Sequence, residues 1–271
     1  MWAAAGELDV FDAGWMSDHL TDAGRERGGA AFEAATTAAA LAHRLPGRWL
    51  GVAVFAATFR HPAVLANSAM VIDNVTGGRF ILGLGAGWHA GEHAAYGIPL
   101  PAPKERFDRF ESYVEVLKAL FSDEARGLPG VTRPDPYFPL DRATLEPGPL
   151  RPTGPPLWLG GQRRRGIELA VRYADGWPMP GNRAGDVAYF ADRHDTISRA
   201  LEAGGRDAAQ FTFAAQVACG NTAGERREAL ETSRRMRAAG ANHLILSVPA
   251  GAGPASLHAM AEEVASPLLD D

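Results

Sequence analysis

Cysteine is almost missing from this chain. Cys219 is the single one in 271 residues, so no internal disulfide can form and a disulfide-stapled secreted scaffold is excluded. Long apolar runs are missing too: no stretch approaches the roughly 20 apolar residues of a membrane-spanning helix. The start, Met1-Trp2-Ala3-Ala4-Ala5-Gly6-Glu7-Leu8-Asp9, lacks the basic flank and apolar stretch of a secretory signal. A cytoplasmic protein without membrane contact is expected. Positive charge is not in excess, since 27 basic against 32 acidic residues give a net charge of −5. That removes a globally basic surface, and no nucleic acid is expected as partner. Lysine is scarce, with Lys104 and Lys118 the only two among the basic residues of an alanine-rich chain, a composition that suggests a high-GC genome. The rest is ordinary for a globular protein, 46% hydrophobic and 22% charged, so function is to be sought in a small-molecule pocket.

Seven short apolar runs read as strands: Asp12–Ser17, Leu50–Ala56, Arg79–Ala86, Pro156–Gly160, Gly176–Met179, Phe211–Ala218 and His243–Val248. Helical spacing lies between them. Pro62 opens one helix, carried by Val64, Leu65, Ala69, Ile72 and Val75 and closed by Gly77-Gly78. Phe107, Phe110, Val114, Leu117 and Phe121 step by three and four through Lys104–Phe121, and shorter helices are predicted over Glu33–Arg44, Arg163–Ala174, Ala223–Ala239 and Pro254–Val264. Repeated βα units of this kind make a parallel sheet, and seven are one short of the eight that close a (β/α)₈ barrel. The missing strand would be the first, because the chain opens in what reads as the end of a helix, Met1–Leu8. We expect a single domain over 1–271. Its one shift in composition is Ser122–Pro156, where 9 of the 19 prolines fall in 35 residues of little periodicity, as in a lid or binding loop.

Active sites of such barrels sit at the C-terminal ends of strands. Asp18-His19 ends the first run; this carboxylate–imidazole pair either polarises a substrate or cofactor or is a structural hydrogen-bonded pair. Gly83-Leu84-Gly85-Ala86-Gly87-Trp88 ends the third and misses the dinucleotide fingerprint, because Trp88 stands at the last glycine of GxGxxG. Its glycines either let a flat ring approach the backbone or serve a tight turn. His89-Ala90-Gly91-Glu92-His93 has the inverted zinc-protease spacing, but Gly91 weakens a helix there, no third acidic ligand with helical context stands out downstream, and surface or hinge histidines are the plainer reading. Gly160-Gly161-Gln162 leads into a helix beginning Arg163-Arg164-Arg165, which suits a phosphate, and Trp177 offers an aromatic wall or plain packing beside it.

With these residues in place, the chain resembles the bacterial luciferase-like monooxygenase superfamily, especially its F420-dependent oxidoreductase branch. The motifs are Trp15-Met16-Ser17-Asp18-His19-Leu20, Thr58-Phe59-Arg60-His61-Pro62-Ala63 and Gly78 through Trp88. The resemblance implies an α/β fold, a luciferase-like (β/α)₈ TIM barrel here without its N-terminal first strand. It implies a ring system beside Asp18 and His19, lined by Ala86, Gly87 and Trp88, with its phosphate near Gly160, Gly161 and Gln162. Ala53-Val54 matches the place of the family's non-prolyl cis peptide, behind the ring. Trp88 stands where the branch's sugar-phosphate dehydrogenases carry a glutamate acid, so that activity is not expected.

The resulting expectation is hydride transfer between coenzyme F420 and an organic substrate under the proline-rich loop. Asp18 and His19 are expected to be catalytic and, with Ala53, Val54, Ala86, Gly87, Trp88, Gly160, Gly161, Gln162 and Trp177, to contact the cofactor; no metal is expected. The alternatives are an FMN-dependent monooxygenase supplied by a separate reductase, and a non-catalytic cofactor-binding or carrier protein. A homodimer is expected from the family.

Overall fold

The computed structural model describes residues 1–21, 31–249 and 251–271. Their contacts gather into two compact units, Trp15–Leu157 and Met1–Gly14 with Trp158–Asp271. The chain opens with helix α1 (Trp2–Gly6) and strand β1 (Ala13–Met16).

In the unit Trp15–Leu157 the order continues α2 (Ala34–Leu41), β2 (Trp49–Ala56), α3 (Pro62–Val75), β3 (Phe80–Gly85), α4 (Ala90–Tyr96) and α5 (Pro103–Leu120). Every residue of β3 is buried, as its continuous apolar content requires. It pairs in parallel with β2 from Leu50 opposite Phe80 to Ala56 opposite Gly85, and the register shifts between Val52 and Phe55. The Ala53–Val54 peptide lies in that shift and is cis, as the resemblance implied. The glycines of β3 answer to it: a Cβ at Gly83 would run into the Val52 carbonyl oxygen, and one at Gly85 would lie 2.8 Å from Val54 Cγ2. These two glycines therefore admit a neighbouring strand rather than a ligand.

Ser122–Pro156 is more ordered than its composition suggests. Strands β4 (Val131–Arg133) and β5 (Leu140–Ala143) pair antiparallel within it. Asp135 accepts from the amides of Tyr137 and Phe138 at 2.8 Å each and from the Ser112 hydroxyl of α5, which pins the hairpin to that helix. Strands of three and four residues are too short to show a period in sequence.

The other unit holds β6 (Leu157–Leu159, from Trp158 onward), α6 (Arg164–Tyr173), β7 (Gly176–Pro178), α7 (Val187–Ala203), β8 (Thr212–Ala218), α8 (Ala223–Ala238), β9 (His243–Ser247), α9 (Pro254–Met260), a π-helical turn (Ala261–Ala265) and α10 (Ser266–Leu269). Its strands run side by side in the order β6-β7-β8-β9, all parallel. All seven strand runs read from the sequence are formed. The 17-residue helix α7 was not anticipated; only Phe190, Ile197 and Leu201 are buried along it, a stripe too thin to stand out. Phe190 meets Trp177 at 6.1 Å between ring centroids, and Phe211 meets Phe213 at 5.1 Å. Each buried aromatic of this kind contributes about 1.5–3 kcal/mol.

Candidate functional site

The segment after β1 carries Asp18 and His19, and both are held by residues from elsewhere in the unit Trp15–Leu157. The Arg60 guanidinium grips Asp18 with two parallel bonds, Nη1 to Oδ2 at 2.7 Å and Nη2 to Oδ1 at 2.8 Å. The Ala56 amide adds a third at 2.8 Å. Arg60 also reaches Glu33 Oε1 at 2.6 Å, while Glu33 caps α2 through the amides of Ala35 and Thr36. Burial disfavours the charge on Arg60, but the hydrogen bonds and charges of Asp18 and Glu33 outweigh it and raise its pKa. The Asp18 side chain is 1% exposed with its acceptors occupied, so it holds its loop in place rather than facing an open surface.

His19 is different. Its side chain is 26% exposed, Nδ1 lies 3.0 Å from Glu92 Oε2, and Nε2 has no hydrogen bond to any described residue. The rings of Trp88 and His89 stand edge-on to it, with centroids at 6.0 and 6.2 Å. Trp88 is 66% exposed and packs on His89 at 4.9 Å, giving the site an aromatic rim.

The His89–His93 motif holds this arrangement. Gly91 does not prevent a helix: α4 forms, with His89 as its N-cap accepting from the Glu92 amide at 2.9 Å. Glu92 and His93 are each 2% exposed, so His93 is not the surface histidine expected, while His89 is half-buried. Besides His19, Glu92 accepts from the amides of Leu20 and Thr21. Burial opposes its charge, but these hydrogen bonds outweigh burial and hold its pKa below the usual carboxylate value. His93 bonds the His89 carbonyl through Nδ1 and the Thr58 hydroxyl through Nε2, both at 2.8 Å. Thr58 fills the space beside Gly87, which has φ +82° and whose Cβ would collide with the Thr58 hydroxyl. The motif thus joins the segments after β1, β2 and β3. Among the described residues no group of three or more His, Cys, Asp or Glu side chains is placed to hold a metal.

Ala53, Val54, Ala86 and Gly87 are half-buried and small. In the other unit, Gly160 and Gly161 are half-buried and Gln162 is exposed. A Cβ on Gly161 would come within 2.7 Å of Gly166 Cα, so the turn lies tight against the start of α6. That helix has no side-chain cap, and its first helix-type bond runs from the Ile167 amide to the Arg163 carbonyl, 3.0 Å. Main-chain amides beside exposed arginines form a donor set suited to a phosphate. Trp177 departs from the aromatic wall expected. Its ring is fully buried and donates from Nε1 to the Gly161 carbonyl at 2.9 Å, bracing the turn from within without presenting a face to a ligand. Arg193 likewise donates to the Gln162 carbonyl at 2.9 Å.

Sequence reasoning placed Asp18, His19 and Trp88 together but missed Glu92, Arg60 and Glu33 as their supports. Two signals were present, since Arg60 lies inside the Thr58–Ala63 motif and Glu92 inside His89–His93.

Comparison with known proteins gives a consistent result. The family model described as luciferase-like monooxygenase matches residues 2–266. The phthiodiolone/phenolphthiodiolone dimycocerosates ketoreductase of Mycobacterium tuberculosis is 32% identical over 255 residues, covering 84% of this chain and 63% of the relative. The F420-dependent glucose-6-phosphate dehydrogenase of Nakamurella multipartita is 32% identical over 183 residues, covering 67% of this chain and 51% of the relative. The chain thus spans less than two thirds of the length of either. Among solved structures, an F420-dependent secondary alcohol dehydrogenase in complex with an F420-acetone adduct superposes with a TM-score of 0.77 at 19% identity, covering 100% of this chain and 94% of the other. That likeness shows the fold, an α/β barrel of the luciferase-like type. No helix among the described residues is long and apolar enough to cross a membrane.

Proposed function

The chain belongs to the luciferase-like monooxygenase family, and from that premise we propose that it is an oxidoreductase transferring hydride between coenzyme F420 and a small organic substrate. The observation that carries the proposal is the outward-facing His19, fixed by Glu92 and rimmed by Trp88, in a chain whose relatives include an F420-dependent enzyme at 32% identity. A bound deazaflavin would supply the acceptor or donor of the hydride. Ala53, Val54, Ala86 and Gly87 offer it a shelf, with Trp88 at the ring's edge, and the turn Gly160, Gly161 and Gln162 offers amides to a phosphate. Asp18 and Arg60 orient the loop, while His19 manages the proton. When a hydroxyl-bearing carbon is oxidised, His19 Nε2 takes the hydroxyl proton as the C–H electron pair leaves as hydride; in reduction it returns that proton to the carbonyl oxygen.

The names of the relatives, a ketoreductase and a dehydrogenase, make ketones and alcohols the substrates to test first. The substrate would lie under the loop Ser122–Pro156 of a single barrel domain. A cytoplasmic homodimer is part of this reading, and the exposed apolar stripe Val64, Val71 and Val75 on α3 would suit a face between two copies. Titration with F420 and with FMN tests the reading. Tight binding of F420 alone, with turnover reduced at least tenfold in folded His19→Ala, supports it. Preference for FMN would replace it with an FMN-dependent monooxygenase fed by a separate reductase, and failure to bind either would favour a carrier protein.

A further inference from the structure

Glu92 takes part in none of the steps above, yet its position decides what His19 can do. A carboxylate only accepts, so the His19 nitrogen 3.0 Å from Glu92 Oε2 must carry the proton. The ring is therefore held with Nδ1 protonated and Nε2 bearing the lone pair. The other Glu92 oxygen is anchored by the amides of Leu20 and Thr21, the two residues that follow His19, so carboxylate and imidazole are fixed on one frame.

The remaining groups around His19 do not compete for this role. Asp18 is adjacent in sequence but is neutralised by the two-pronged grip of Arg60. Trp88 and His89 present ring edges, and the Nδ1 of His89 is turned to the Glu92 amide. Tyr96 donates its hydroxyl to the Leu20 carbonyl. Glu92, with a side chain 1% exposed, is thus the carboxylate bonded directly to the His19 ring, and in a poorly hydrated setting its charge acts strongly on that ring.

On the reading of His19 as the proton-handling group, we propose that Glu92 is its positioning residue, keeping Nε2 ready as a base and stabilising the imidazolium once the proton is taken. Replacing the Glu92 acceptor should then reverse the His19 tautomer without moving the ring out of the site.

The test is a ¹H–¹⁵N correlation experiment on the histidine-labelled full chain without added cofactor, from pH 5 to 9, with the His19 signals assigned by their absence in His19→Asn. Wild-type protein should show the Nδ1–H tautomer, and Glu92→Gln, whose carbonyl stays on the Leu20 and Thr21 amides so that its amide nitrogen faces Nδ1, should turn His19 to the Nε2–H tautomer. An Nε2–H tautomer in the wild type overturns the proposal even if Glu92→Gln fails to fold. An unchanged Nδ1–H tautomer in folded Glu92→Gln overturns it as well. Near-normal hydride transfer in His19→Asn would instead remove the catalytic reading of His19 while leaving the tautomer result in place.

Discussion

The loop around His19 and the turn Gly160–Gln162 are held by opposite means. At His19 the supports are charged side chains, Arg60 between Asp18 and Glu33 and Glu92 against the imidazole. At the glycine turn they are main-chain carbonyls taking bonds from the Trp177 indole and the Arg193 guanidinium. Paired charges fix direction and protonation, which proton chemistry needs, and become costly when one partner is lost. A backbone turn offers amides regardless of pH, which suits holding an anion. Substitutions and acid should therefore act very differently on the two places.

The largest difference should come from Arg60→Met, which leaves the Asp18 carboxylate buried and unpaired and should cost about 3–5 kcal/mol in urea denaturation. A loss below about 1 kcal/mol would mean that the ion pair does not dominate there. Acid gives the next contrast. Burial holds the His243 imidazole, packed against Trp158, down to about 4 from an ordinary 6.5, with the charge of Asp12 opposing. Between those values the unfolded chain binds the proton and the folded one does not. Stability is thus full above about pH 6.5 and should fall by about 2–3 kcal/mol on the way down to about pH 4. Glu33 and Glu92, both lowered, contribute fully above about pH 4.5 and fade only below it. Amide exchange at pH 5 should therefore loosen β9 before the His19 loop, and His243→Gln should flatten the slope above pH 4.5. Trp177→Phe should follow at about 1–3 kcal/mol, because it leaves the Gly161 carbonyl without its donor. It should also weaken phosphate binding, read by calorimetry. Arg193→Met should cost less than about 1 kcal/mol of stability, since its bond lies at the exposed edge of the same turn.

The seven strands were legible because buried parallel strands write continuous apolar runs such as Phe80–Gly85. Helix α5 was legible through its regular phenylalanine and aliphatic spacing, whereas α7, with charged residues between three buried ones, was not. At the site, the residues ending strands could be named, but their supports could not. Glu92 lies 73 residues from His19 in sequence, and nothing local signals that they meet. The glycines of β3 were visible, but their reason, room for the Val52 carbonyl and the Val54 side chain, depends on the neighbouring strand. Sequence leaves Trp177 open between a wall and plain packing, because it gives an aromatic ring no direction, and here the ring points into the core.

The seven-residue helix α4 also bears on how this scaffold could be re-engineered. Its three polar side chains act as a clasp on segments that belong to separate βα units, reaching His19, Leu20 and Thr21 through Glu92, Leu20 again through Tyr96, and Thr58 through His93. The loops of such a barrel are commonly treated as exchangeable parts, each grafted without the others. Here they are not interchangeable modules: a loop transplanted after β1 or β2 must arrive with a compatible α4, and the smallest transferable cassette is the three loops with their clasp.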